Sequence, residues 1–238
     1  MAILDVRGLT YAYDGGTNVL HDVSFSVAEG SVVGLVGPNG SGKSTLIKNV
    51  FDLLESQTGE IVIGGHPHVS TRAKEQSVYL ASNDYLPEFL TGREFVSLVA
   101  RLFGVKTDHA RAEEYFRAFS MRGRYDDLIA DYSHGMRKKT QLISAFLVRR
   151  PLTVVDETLN GIDLEALRLV EKEFQVMRSA GCSILLCSHD FAMLERVTDS
   201  VVFLDLGRVI ADEPTAEIVA ETGGLDQLVF GHLESEVR

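Results

Sequence analysis

The run Gly37-Pro38-Asn39-Gly40-Ser41-Gly42-Lys43-Ser44-Thr45 constrains this chain more than any other stretch. An apolar run, Val32-Val33-Gly34-Leu35-Val36, precedes it, and Thr45-Leu46-Ile47-Lys48-Asn49-Val50-Phe51 follows with helical character. Strand, glycine loop, Lys-Ser and helix form the pattern of a phosphate-binding P-loop. The glycines let the backbone wrap an anion with its N–H groups, and the following helix aims its positive end at the same place. Lys43 adds a charge for the outer phosphates, and the Ser44 hydroxyl suits Mg²⁺. The expected class is α/β.

The chain has 238 residues, 45% of them hydrophobic and 24% charged, enough for one large domain or a domain with an inserted lobe. No run reaches the ~20 apolar residues that cross a bilayer. The N-terminal residues Met1 to Arg7 read as an alternating strand rather than a signal peptide. A net charge of −11 argues against nucleic acid and against anionic lipid as partners, so membrane attachment is expected only through another protein. The two cysteines, Cys182 and Cys187, read as buried, reduced thiols on opposite faces of a strand.

Leu4 to Tyr13 and Val19 to Val27 alternate around the turn Asp14-Gly15-Gly16-Thr17-Asn18, as a hairpin would. Short strands are expected at Gly59 to Gly65 and Ser77 to Leu80. The texture then turns helical. Thr91 with Glu94 fits a capping box, Ala110 to Met121 reads as a second helix, and Ser133 to Arg149 as a third. With no strand pattern between about Asn83 and Arg150, residues 83–150 read as a helical insertion in a core made of 1–82 and 151–238. Strand–helix alternation resumes at Leu152 and ends in a hairpin and two short helices after Pro214.

Pro151-Leu152-Thr153-Val154-Val155-Asp156-Glu157 is an apolar strand ending in two acids. In P-loop proteins such an aspartate supports Mg²⁺ from the neighbouring strand tip, and the glutamate beside it can deprotonate water. In Asp131-Tyr132-Ser133-His134-Gly135-Met136-Arg137-Lys138-Lys139, Ser133 looks like a helix cap. The next turn carries Arg137, Lys138 and Lys139, cations that oppose the helix dipole, a conflict that a bound anion would relieve.

Gly37–Thr45, Tyr132–Met136, Leu152–Glu157, Asn160-Gly161-Ile162-Asp163 and Ser188-His189-Asp190 stand in the order typical of ATP-binding cassette (ABC) ATPases. They resemble the Walker A, signature, Walker B, D-loop and switch-histidine motifs, and the likeness covers essentially the whole chain. The implied fold is a P-loop core with an N-terminal antiparallel β-subdomain and an inserted α-helical subdomain. The likeness implies an ATP-hydrolysing subunit that works with Mg²⁺ as a head-to-tail dimer. It would be peripheral on the cytoplasmic face of the membrane through an integral permease.

By the same resemblance, Gly37, Pro38, Asn39, Gly40, Ser41, Gly42, Lys43, Ser44 and Thr45 hold the phosphates and Ser44 and Asp156 the metal. Glu157, His189 and Lys43 are the catalytic set. Tyr13 stacks on adenine, with Tyr11 as the competitor. Ser133 and Gly135 touch nucleotide held by the opposite subunit, and Asp163 lies at the seam. Leu90 to Phe95 and the Tyr-Ser-His-Gly-Met signature are similar to export-type members. The rival role is a soluble ABC ATPase acting on nucleic acid, ribosomes or cofactor assembly; a GTPase lacks its guanine-reading Asn-Lys-x-Asp here.

Two positions depart from the family pattern. His134 stands where the commonest signature has glycine. Ser82, in Ala81-Ser82-Asn83-Asp84, stands where a glutamine usually touches Mg²⁺ and reports to the permease. Water, Asn83 or Asp84 would have to complete the metal shell in its place.

Overall fold

The computed structural model describes residues 1–14, 16–55 and 58–236. β1 (Ala2–Ala12) and β2 (Asn18–Ala28) form the expected antiparallel hairpin, with Leu4 opposite Val27 and Val6 opposite Phe25. Gly15 of its turn lies outside the described residues. β1 also pairs with β4 (Thr58–Ile63), and a two-residue β5 (His66–Pro67) completes this sheet in the order β2-β1-β4-β5.

β3 (Val32–Val36) belongs to a second sheet and is buried along its whole length. That sheet runs β10-β9-β3-β8-β7-β6, with β6 (Ser77–Leu80), β7 (Leu152–Asp156), β8 (Ser183–Cys187), β9 (Ser200–Asp205) and β10 (Arg208–Pro214). All neighbours are parallel except the β9–β10 hairpin. An interior parallel strand is covered on both faces, so its sequence is continuously apolar. The period of two then divides the core. Val33 and Leu35 of β3, with Leu185 and Cys187 of β8, pack with the first sheet and with Leu46, Ile47 and Val50. Val32, Val36, Ile184 and Leu186 face the other side, toward the helices.

On the side of the first sheet lie α1 (Lys43–Val50) behind the glycine loop, two residues earlier than the pattern indicated, and a short α2 (Thr71–Glu75) that it did not signal. Between β6 and β7 come α3 (Gly92–Leu102), α4 (His109–Ala118) and α5 (His134–Val148). Thr91 makes the expected capping box with Glu94. Although β6 and β7 lie side by side, more than 70 residues of chain separate them, and the three helices fill that gap. α5 joins this lobe to the sheet. Its Leu142, Ile143 and Phe146 are fully buried, and Phe146 meets Phe119 on one side and Phe174 of α6 (Leu164–Ser179) on the other. α7 (Phe191–Val197), α8 (Thr215–Thr222) and α9 (Leu225–Glu236) close the C-terminal end. Cys182 and Cys187 are both buried and free. Cys182 lies one residue before β8 rather than within it.

The approach to α5 is tightly fitted. The Tyr132 hydroxyl donates to the Arg124 carbonyl at 2.6 Å, and Gly92 packs against both Tyr132 and Phe116. A Cβ on Gly92 would collide with the Tyr132 hydroxyl and lie 2.9 Å from Phe116 Cζ. Gly92→Ala is therefore expected to lower stability by about 1–3 kcal/mol, the usual cost of overpacking, measured by urea denaturation. Unchanged stability would show that the lobe yields at this point.

Candidate nucleotide site

The loop after β3 is shaped by its glycines. A Cβ at Gly37 would strike the carbonyl oxygen of Leu204 on the adjacent β9, so only glycine lets the chain leave the sheet there. Gly42 caps α1 in a left-handed conformation (φ 105°), no side chain caps that helix, and its first turn carries no acid. The free N–H groups and the positive end of the dipole are thus open to an anion. Lys43 is buried. Its Nζ donates to the carbonyls of Gly37 at 2.8 Å and Pro38 at 3.0 Å, and among the described residues no carboxylate pairs with it. Asn39, Gly40, Gly42, Lys43, Ser44, Thr45 and Glu157 line one cleft of about 270 Å³. Ser41 stays underneath, with a buried hydroxyl that finds no protein partner. The loop therefore holds a cation, open N–H donors and a cleft in one place, the arrangement that recognises phosphate.

Asp156 ends β7, almost fully buried. One carboxylate oxygen accepts a hydrogen bond from the Tyr79 hydroxyl at 3.1 Å; the other is buried with no partner. Burial raises its pKa and the charge of Glu157 adds to the rise, while the Tyr79 bond, the Cys187 thiol and Lys43 oppose it. Ligand atoms of Asp156, Glu157 and Cys187 lie within 4.8 Å of one another. Burial pushes the Cys187 thiol strongly up, which keeps it protonated. The usable donors are then carboxylate and hydroxyl oxygens, a set that fits a hard cation such as Mg²⁺. The unpaired Asp156 oxygen is the one such an ion would satisfy.

Contrary to the expectation of a neighbouring strand tip, β8 lies between β3 and β7. Asp156 is opposite Cys187, and Glu157 N–H donates to the Cys187 carbonyl at 2.9 Å. The interposed strand also delivers His189, whose Nε2 lies 2.9 Å from Glu157 Oε1. Glu157 itself has left-handed backbone, φ 53°, uncommon for a residue with a side chain. Acid, adjacent acid and histidine are thereby gathered from two parallel strand ends onto the loop.

Tyr13 is 45% exposed, and its hydroxyl is 3.1 Å from Thr45 Oγ1. Tyr11 is buried and meets Tyr13 edge-on at 5.0 Å. Of the two, Tyr13 is the exposed one and the one whose hydroxyl reaches the loop.

Ser133 caps α5, accepting from Met136 N–H at 3.3 Å. Neither Ser133 nor Gly135 lines the phosphate cleft. The three cations behind them do not await an anion as the sequence indicated. Arg137 pairs with Glu88 at 2.7 Å, Lys139 with Asp163 at 2.5 Å, and Lys138 donates to the Asn160 carbonyl at 2.6 Å. Partners distant in sequence relieve the conflict with the dipole. Asp163 also caps α6, accepting from Ala166 N–H, and Lys139 first and this bond second hold its carboxyl below the usual range.

The segment after β6 is tied down by contacts that sequence reasoning did not find. Thr158 Oγ1 donates to the Leu80 carbonyl at 2.9 Å, and Gln141 Nε2 to the Asn83 carbonyl at 3.0 Å. Ser82 is exposed, and Asp84 is bound to His134 of α5. Tyr79 was also missed. Its ring stacks on Phe51 at 4.9 Å while its hydroxyl holds Asp156. The only signal in the sequence was a tyrosine among aliphatic residues in a buried strand, where a hydroxyl needs a partner.

Comparison with known proteins agrees with this geometry. Residues 20–160 match the family model described as ABC transporter. The chain is 31% identical to the ABC-type transporter ATP-binding protein EcsA of Bacillus subtilis, over 95% of this chain and 93% of that one. It is 28% identical to the cobalt import ATP-binding protein CbiO of Rhodobacter capsulatus, over 94% and 83%. A solved structure of the ATP-binding subunit of an ABC transporter superposes with a TM-score of 0.89 at 34% identity, covering 95% of this chain and 97% of that one. The chain belongs to the ABC transporter family. It is an ATP-binding subunit, an ATPase that powers a membrane transporter, built as a P-loop core with an antiparallel β-subdomain and an inserted helical subdomain. Among the described residues, no helix is long and apolar enough to cross a membrane.

Lys43→Ala removes the one cation inside the loop. The affinity for ATP, measured by calorimetry, is expected to fall by ~10- to 100-fold or more, in line with losing charged hydrogen bonds of about 1.5–3 kcal/mol. An unchanged affinity would place the phosphates elsewhere.

Proposed function

We propose that the chain hydrolyses Mg²⁺-ATP as one half of a head-to-tail dimer seated on an integral membrane permease, in the direction of export. The observation that carries the catalytic part is the cleft that Lys43 and Glu157 share, with His189 bonded to Glu157 and the unpaired Asp156 oxygen beside it. Residues 37–45 cradle the phosphates, and Tyr13 lies under the adenine. Ser44 and Asp156 hold Mg²⁺, which when bound neutralises charge on the phosphate oxygens. Glu157 takes a proton from water as the water attacks the γ-phosphorus and the bond to ADP breaks. His189, fixed on Glu157 through Nε2, orients the base toward the attacking water and the γ-phosphate. Lys43 stabilises the charge that develops on the transferred group.

Ser133 and Gly135 serve the ATP of the second subunit, with Asp163 near the seam. Two features support this. α5 presents a capped, exposed N-terminus outside its own chain's cleft. Gly135 is not demanded by its own fold, since a Cβ there would meet nothing closer than the Gly161 carbonyl at 3.8 Å. Space kept free at such a position suits close approach from outside.

The helical subdomain takes residues 83–150, and the core 1–82 and 151–238. At their junction Tyr79, Tyr85, Leu86, Phe95 and Phe103 line an apolar cleft of about 460 Å³, where the permease's cytoplasmic segment docks. This puts the subunit on the cytoplasmic membrane face through the permease. Export rests on the Leu90–Phe95 run and the Tyr-Ser-His-Gly-Met signature, since the family also includes a relative named for cobalt import.

Glu157→Gln is expected to bind ATP normally, to hydrolyse it ~10²–10⁴-fold more slowly and to accumulate as a dimer on gel filtration with ATP. Full activity would remove Glu157 as the base. Ser133→Arg is expected to block hydrolysis while leaving ATP binding by the monomer intact. In mixed dimers with Lys43→Ala chains, both lesions should fall on one composite site and leave the other working. Equal failure of both sites would overturn the head-to-tail arrangement.

A further inference from the structure

One of the two departures from the family pattern, the histidine in the signature, bonds to the segment that holds the other, the serine in place of the glutamine. His134 Nδ1 lies 2.7 Å from Asp84 Oδ2. Asp84 follows Ser82 and Asn83 in the segment after β6, and His134 is the first residue of α5. We propose that Asp84 is a positioning residue whose bond to His134 joins the apolar cleft to the nucleotide-facing end of α5, carrying the coupling that the absent glutamine would otherwise provide.

Four observations support the link. First, the neighbours of Asp84 line the cleft: Asn83, Tyr85, Leu86 and Pro87 all face it. Second, the bond is charge-assisted in a known sense. The hydrogen bond from His134 is the main cause holding the Asp84 carboxyl below its usual range, so the acid is ionised and Nδ1–H donates. Third, the same segment is tied to α5 twice more, by Gln141 Nε2 on the Asn83 carbonyl and by Arg137 on Glu88. Segment and helix start are therefore built to move as one body. Fourth, the alternatives of the sequence reading are otherwise occupied. The Asn83 side-chain oxygen lies 3.4 Å from Tyr85 N–H, and the Asp84 carboxylate is spent on His134 rather than on the metal.

The His134 side chain is 89% exposed and is held at Nδ1, and it stands between Ser133 and Gly135 in the sequence. A shift of α5 on meeting the second subunit's nucleotide would pull Asp84 and, with it, Tyr85 to Pro87. The reverse holds for a partner pressing into the cleft, since coupling between two binding sites is reciprocal. This inference rests on the proposed reading that α5 faces the nucleotide of a second copy.

The chain contains no tryptophan, so one introduced in the segment reports without background. Tyr85 is 84% exposed and tolerates replacement. The parent for the test is the full chain with Tyr85→Trp and Glu157→Gln, titrated with Mg²⁺ and ATP. Its emission is expected to shift as the ATP dimer forms. Asp84→Ala added to this parent, which removes the bond but leaves the other two ties, should cut the shift at least twofold while calorimetric ATP affinity, dimer formation and melting temperature stay as in the parent. His134→Ala should cut it equally, the double variant should be no worse than either single one, and Asp84→Glu should keep it. An undiminished shift in Asp84→Ala, or a parent that dimerises with ATP without any shift, overturns the link. A parent that binds ATP and stays monomeric overturns the head-to-tail reading itself, and the link falls with it.

Discussion

Everything at this site depends on β3 being buried on both faces. Its side chains alternate between two cores, so neither end of the strand can shift without disturbing both. The glycine loop therefore starts from a fixed point, and Gly37 turns directly against the Leu204 carbonyl of the next strand. A loop that must wrap an anion with backbone N–H groups gains nothing from glycine if its anchor moves, because misaligned donors lose most of their attraction. Lys43, bent back onto the carbonyls of Gly37 and Pro38, already lies within this frame. The frame is thus preorganised, with the cation stored on the backbone until phosphate oxygens compete for it.

The sequence was most legible where local chemistry and period agree. The loop, the strand before it, the capping box at Thr91 and the acid pair after β7 follow from patterns of a few residues. Strand order does not. That β8 separates β3 from β7 is a matter of tertiary crossover, and all three strands read alike as buried apolar runs. The cationic start of α5 misled for a related reason. Its compensating partners, Glu88, Asn160 and Asp163, come from both sides of the helix in sequence and are unreadable until the chain folds. α2 was missed because five residues are too few to show a helical period. Gly15, in the first hairpin turn, lies outside the described residues.

Charge is used economically in the helical lobe. The chain is acidic overall, yet the start of α5 is one of its few concentrations of positive charge, and each cation there is engaged. The helix end therefore offers neighbours its N–H groups and hydroxyl cap rather than free charge. Recognition through such groups depends on geometry and close fit, and salt screens it less than it would screen exposed lysines.

The left-handed backbone at Glu157 has a consequence for how this subunit is held in sequence space. A non-glycine residue there costs roughly 1–2 kcal/mol, a strain that glycine would relieve. Stability alone would thus favour losing the carboxylate. A glutamate at that position marks where folding free energy is given up for a side chain aimed at His189 and the loop. With Glu157 as the proposed base, random drift toward a more robust fold would pass through an intact, well-packed protein unable to turn over its nucleotide. Tests of stability or expression alone would rank such a chain above the working one.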